Sequence, residues 1–197
     1  MLDAPRTAAL RGLVRVLGID PGSRVTGYGV IERCGGELRH VAHGCIRCAD
    51  AALPMRLQRI HSALVDLIAE QRPDEAAVES VFVRRNVNSA LVLGQARGVA
   101  LLALAQGGLI PHEYAPAQVK STIVGTGRAE KRQIQHMVCA ILKLPETPAA
   151  DAADALAIAL CHARLRGSPL GVGGKHRTVR GVGYRNYGHA PTSVESA

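Results

Sequence analysis

Between Val14 and Arg47 the chain is written as three strand-length runs broken only by turn-formers, and this restricts the fold more than any other stretch. VRVLGI (14 to 19), VTGYGVIER (25 to 33) and ELRHVAHGCIR (37 to 47) are separated by Pro21-Gly22 and Gly35-Gly36. With so little chain between them, such runs pair as neighbours, which predicts an antiparallel meander. Pro54 then opens an amphipathic helix in which Leu57, Ile60, Leu64, Leu67 and Ile68 recur about every 3.6 residues, stopping before Pro73. A short strand is expected over 76 to 81. A long apolar helix follows the polar loop at 84 to 88 and runs to Gln106, and a last strand is expected over 110 to 114. Further helical patterns start at Pro116, span 129 to 144, and span 149 to 164. The order is βββαβαβ and then helices. It predicts an α/β fold: a mixed sheet made of a three-stranded antiparallel meander plus two further strands, flanked by helices.

With one Phe and no Trp, the core has to come from Leu, Val, Ile and Ala. The same scarcity argues against an aromatic platform for single-stranded nucleic acid, which uses several rings on successive bases. Residues 14–165 are expected to form one domain, preceded by an extension (1–13). From Arg164 onward the cations Arg164, Arg166, Lys175, Arg177, Arg180 and Arg185 face Glu195 alone. Residues 166–197 therefore read as a basic, Gly-rich flexible tail, either a solvated extension or an extra phosphate contact. The opening residues carry charges through a mildly apolar stretch, and the run Val99 to Ala105 is too short to span a bilayer, so a soluble, cytoplasmic protein without a membrane partner is expected. Five cysteines point to reduced thiols. Cys45 and Cys48 form a C-x-x-C without a second pair, which reads as structural thiols rather than zinc ligands. The long helix LVLGQARGVALLALA is apolar on most of its surface, so it must be buried in the domain or against a second subunit. Its Gly94 and Gly98 permit close helix approach, or packing on its own sheet.

Four carboxylates do not read as surface charge. Asp20 ends the apolar strand VRVLGI, and Glu79 stands in AAVESVF, where burial without a partner would cost several kcal/mol. Asp151 and Asp154 lie three apart in AADAADALAIAL and so point to nearly the same side of a helix. Taken singly, each has a bland explanation: a turn, a first-turn acid, a polar exception. Together they place the same chemical type in three mostly apolar elements, and a shared metal site is the more economical account. Oxygen donors without Cys or His favour Mg²⁺ or Mn²⁺. A paired-metal carboxylate site suits phosphodiester hydrolysis. Arg84, Arg85, Lys120, Arg128, Lys131 and Arg132 are the cations available to a phosphate backbone there.

VLGIDPGSRVTGYGVIE, VESVFVRRNVNSALVLGQARG, APAQVKSTIVGTGRAEKRQIQHMV and ADAADALAIAL resemble, in the same order, the signature blocks of the RuvC-type Holliday junction resolvases. The resemblance covers roughly residues 14 to 163. It implies an RNase H-like fold, a homodimer, and Mg²⁺-dependent endonuclease action on four-way DNA junctions by symmetric nicks, with two metal ions per subunit and Mn²⁺ able to substitute. By motif, Asp20, Glu79, Asp151 and Asp154 match the family's metal-binding acids, and Lys120 and Lys131 its active-site lysines. Phe82 matches an aromatic that contacts bases near the crossover. Partnership with the RuvA and RuvB branch-migration proteins is implied in the same way. Two other readings stay open from the residues alone. GIDPGSRVTG also resembles the phosphate loop of the actin and sugar-kinase superfamily, and the fold could serve as a noncatalytic junction-binding module.

Overall fold

The computed structural model describes residues 12–49, 51–80 and 87–167. The predicted N-terminal extension, apart from its last two residues, and nearly all of the basic tail lie outside them, as do Phe82, Arg84 and Arg85. The meander is present as β1 (Leu13–Asp20), β2 (Val25–Cys34) and β3 (Glu37–Arg47), paired antiparallel in that order. Then follow α1 (Leu53–Gln71), β4 (Glu75–Glu79), α2 (Val87–Gln106), β5 (His112–Tyr114), α3 (Pro116–Val124), α4 (Lys131–Leu142) and α5 (Ala150–Gly167). β4 joins the open edge of β1 in parallel and β5 joins β4, giving one mixed sheet ordered β3-β2-β1-β4-β5.

Helix boundaries follow local chemistry. α1 has Pro54 in its first turn and ends at Arg72, a left-handed cap (φ 46°) placed before Pro73. α4 begins two residues later than the sequence predicts. Glu130 and Gln133 form a reciprocal capping box there, which takes Glu130 out of the helix as its cap. β5 is shorter than expected: Pro111 has no N–H for the ladder, and Ile110 is exposed.

Strand alternation divides the core into two layers. Leu17, Ile19, Val30 and Val78 face α1 and α2, while Val16, Ile31 and Ala77 face α3, α4 and α5. Each fully buried aliphatic side chain contributes about 1.5–3 kcal/mol relative to exposure. α5 is the most deeply seated helix, with an unbroken buried run from Ala155 to Ala163.

α2 corrects one expectation. The uninterrupted apolar run inside it is short, yet the whole helix is long and apolar enough to cross a membrane by length and composition. It buries Ala96, Ala100, Ala103 and Leu104 against the domain, and Arg97 on it pairs with Glu113 at 2.6 Å. Its other side is open: Val87, Leu91 and Leu102 are 72%, 61% and 51% exposed. Gly94 and Gly98 lie on this open side, where an added Cβ would meet nothing within 4 Å among the described residues. They do not pack on their own sheet.

All five cysteines are free thiols. Cys48 is buried and its Sγ lies 3.5 Å from the carbonyl of Arg24, so it braces a loop.

Candidate active site

The parallel register of β1 and β4 runs as far as Ile19 opposite Val78. Asp20 and Glu79, one residue further on each strand, therefore leave the same end of the sheet side by side. Alternation turns both toward α5, since Val16 and Ala77 already face that layer. This is the carboxyl end of adjacent parallel strands, where open α/β sheets place their ligands.

α5 brings the other two acids by lying in a trough with no side chains. Gly18 and Gly29 are cross-strand partners, and Gly27 is the partner of Asp20. A Cβ on Gly27 would lie 2.0 Å from the carbonyl oxygen of Asp151, and one on Gly18 would lie 2.2 Å from that of Ala155. A Cβ on Gly29 would meet Leu156 at 2.7 Å. The start of α5 thus rests directly on the strand backbone beside Asp20. These glycines let α5 approach the site, and the carboxylates alone do not point to them. Their signal was available: glycine inside a strand marks close backbone approach, and VTGYGVIE has two of them one residue apart.

The electrostatics report how close the acids are. The Asp20 carboxyl is pushed up to about 7, first by burial and then by Glu79, Asp154 and Asp151, while Lys131 acts in the opposite direction. Glu79 is raised by burial and by Asp154, opposed by Lys120 and Lys131. Asp154 is raised chiefly by burial, and Lys131 opposes this with its Nζ 3.6 Å from Oδ2. Lys131 opens α4 and is 74% exposed; Lys120 sits on α3. The structure therefore gathers Asp20, Glu79, Asp151, Asp154, Lys120 and Lys131 at one place. Arg132, next along α4, and Arg128, in the loop before it, are exposed.

Whether a metal fits is a question of donors and charge. All four acids offer oxygen, the donor type that hard divalent cations take. Partial burial first, and then the neighbouring carboxylates, push Asp20 up to about 7, and an added cation would relieve the repulsion among them. As they stand, no three His, Cys, Asp or Glu side chains among the described residues are drawn together closely enough to hold an ion. The donor chemistry fits; ligation requires the side chains to close in.

A sequence profile described as "Crossover junction endodeoxyribonuclease RuvC" matches residues 16–162, a span holding all four acids and both lysines. The chain belongs to this family. It is 54% identical over 168 residues to the RuvC of Marinobacter nauticus, covering 84% of this chain and 96% of the relative. It is 51% identical over 160 residues to that of Shewanella frigidimarina, covering 81% and 92%. Among solved structures, RuvC of T. thermophilus in complex with Holliday junction substrate superposes with a TM-score of 0.72 at 36% identity, covering 76% of this chain and 93% of that one. The yeast mitochondrial Holliday junction resolvase Ydc2 superposes with a TM-score of 0.56 at 14% identity, a likeness of fold alone. The RNase H-like fold that the RuvC resemblance implied is the fold of this chain.

Proposed function

We propose that this chain cuts DNA at the carboxylate cluster, acting as the family's endonuclease on Holliday junctions in recombination and repair, by paired symmetric nicks. Junction resolution and nuclease activity follow from family membership. The use of these particular acids is supported by one observation above all: four carboxylates from β1, β4 and α5 crowd one partly buried site, with Asp20 held at about 7.

The family's nuclease activity is divalent-metal dependent. We assign Asp20, Glu79, Asp151 and Asp154 as the residues that would hold two Mg²⁺ ions, with Mn²⁺ able to replace them. Bound there, such ions supply an acidified attacking water and a counter-charge for the leaving oxygen. Lys131 and Lys120, point charges on flexible stems, stabilise charge building on the scissile phosphate. Phe82, outside the described residues, is assigned a wedge or stacking role at the crossover, and Arg84, Arg85 and Arg132 contact phosphates.

Two equivalent nicks on a near-two-fold junction call for two equivalent sites, which a C₂ dimer supplies. The open side of α2 supports this assembly, because Gly94 and Gly98 there leave room for another helix between Leu91 and Leu102. Sedimentation should show a dimer; a monomer at working concentration contradicts it. Work with RuvA and RuvB branch-migration proteins is proposed on the same family basis.

The test is cleavage of a synthetic four-way junction with Mg²⁺ beside a linear duplex of the same sequence. Selective junction cutting is expected. Binding without cutting would point to the noncatalytic module, and turnover of a nucleotide with no cutting would point to a phosphotransferase.

A further inference from the structure

Three further arginines are carried by segments that join at one corner of the sheet. Arg24 lies four residues after Asp20, Arg47 is the last residue of β3, and Arg59 projects from α1; all three are exposed. The chain itself clasps them together. Val25 pairs with Arg47 across the β2–β3 ladder. The N–H of Cys48 donates to the Arg24 carbonyl at 3.0 Å, and the Arg59 guanidinium donates from Nη1 to the Arg47 carbonyl at 3.3 Å. The loop that carries Arg24 is braced from within, because the Thr26 hydroxyl donates to the Gly22 carbonyl at 2.9 Å. Among the described residues no carboxylate pairs with any of the three.

The corner adjoins the acids. Asp20 pairs with Gly27 and Gly27 with Cys45 across the sheet, and Arg47 lies two residues beyond Cys45 on β3. It also lies away from Lys120, which comes from the helix after β5 at the other edge of the sheet. A guanidinium fork suits phosphate oxygens, and the backbone that carries these three is already braced.

We propose that Arg24, Arg47 and Arg59 form a second phosphate-contact surface, on the β2–β3 side of the carboxylates, that grips the backbone of a junction arm. This rests on the nuclease reading and adds to it a surface for DNA outside the cutting centre. It is a grip without a part in bond cleavage.

The experiment measures junction binding by the full chain in EDTA across a salt series, for wild type and a variant carrying Arg24→Gln, Arg47→Gln and Arg59→Gln. Each phosphate contact contributes about 0.9 to the slope of log affinity against log salt, so the triple variant should lose roughly 2 to 3 from that slope. At about 0.1 M salt its affinity should fall on the order of 10- to 100-fold. Single-turnover cleavage in Mg²⁺ at saturating protein should stay within about twofold of wild type. An Arg39→Gln/Lys143→Gln variant, which removes charge at the far end of β3, should change the slope by less than half as much per charge. An unchanged slope and affinity in the folded triple variant overturn the proposal. So does an effect matched charge for charge by the control, which would be long-range attraction alone. If the triple variant does not fold, single Arg24→Gln and Arg47→Gln variants should each lower the slope by about 0.9. Wild-type cleavage, run beside a linear duplex, shows separately whether the nuclease reading holds.

Discussion

The two ends of α5 hold two polar clusters built on opposite terms. At the far end His162 is fully buried, and every polar atom in its ring has a partner. A carboxylate can only accept, so Nε2 donates to Glu75 at 2.8 Å and leaves Nδ1 to accept from the Tyr114 hydroxyl at 2.8 Å. His112 lies against the same ring, with centroids 4.8 Å apart. At the near end, Asp151 and Asp154 meet Asp20 and Glu79, acid against acid, offset by two lysines. One cluster is complete within the protein and serves to dock α5. The other holds more carboxylates than opposing lysines, and that excess is where chemistry is expected.

The sharpest way to break this contrast is to remove one acid. Asp20→Asn should lower junction cleavage by at least ~10³-fold while junction affinity stays within a few-fold, measured by single-turnover cleavage and by binding in EDTA. Next comes the trough. Gly27→Ala places a methyl group 2.0 Å from the Asp151 carbonyl and should shift the start of α5. The expected result is a loss of ~10²-fold or more in cleavage and ~2–4 kcal/mol in stability. Gly36→Ala, with open space around its Cβ, should be nearly silent in both measurements.

The far cluster should respond in the opposite sense. His162→Ala leaves a cavity and strands Glu75 and the Tyr114 hydroxyl, costing about 2–4 kcal/mol by denaturant unfolding. The folded fraction should nevertheless cut at close to the wild-type single-turnover rate.

The smallest effect is the dependence of stability on pH without metal. Asp20 titrates near 7 when folded and near 3.8 when unfolded. The folded state therefore holds the extra proton, and stability falls as pH rises from about 4 through 7, by ~1–3 kcal/mol, then levels off. Glu79 and Asp154, also raised, push the same way. Equilibrium unfolding in EDTA at pH 5 and pH 8 checks this, and Asp20→Asn should flatten most of the curve.

Much of this was legible in the sequence, for reasons that differ by element. The meander could be read because Pro21-Gly22 and Gly35-Gly36 leave no room for any other pairing. The four acids stood out because carboxylates in apolar runs are expensive. The trough was not legible from the carboxylates, since Gly27 and Gly29 matter through a helix more than a hundred residues away in sequence. His162 escaped notice as well. Its partners Glu75 and Tyr114 come from β4 and β5, and nothing local in CHARL marks it as buried. The fate of α2 could not be settled either, because an all-round apolar helix reads alike whether its second side meets its own core or another subunit.

The central claim is that the excess of carboxylates in the acid cluster is meant for divalent cations. The most direct measurement is the thermal unfolding of wild type and Asp20→Asn at pH 8 as Mg²⁺ is raised. Wild type should start lower and gain several degrees on addition of Mg²⁺, whereas Asp20→Asn should start higher and gain little. Equal gains in the two proteins, or none in wild type, would contradict it.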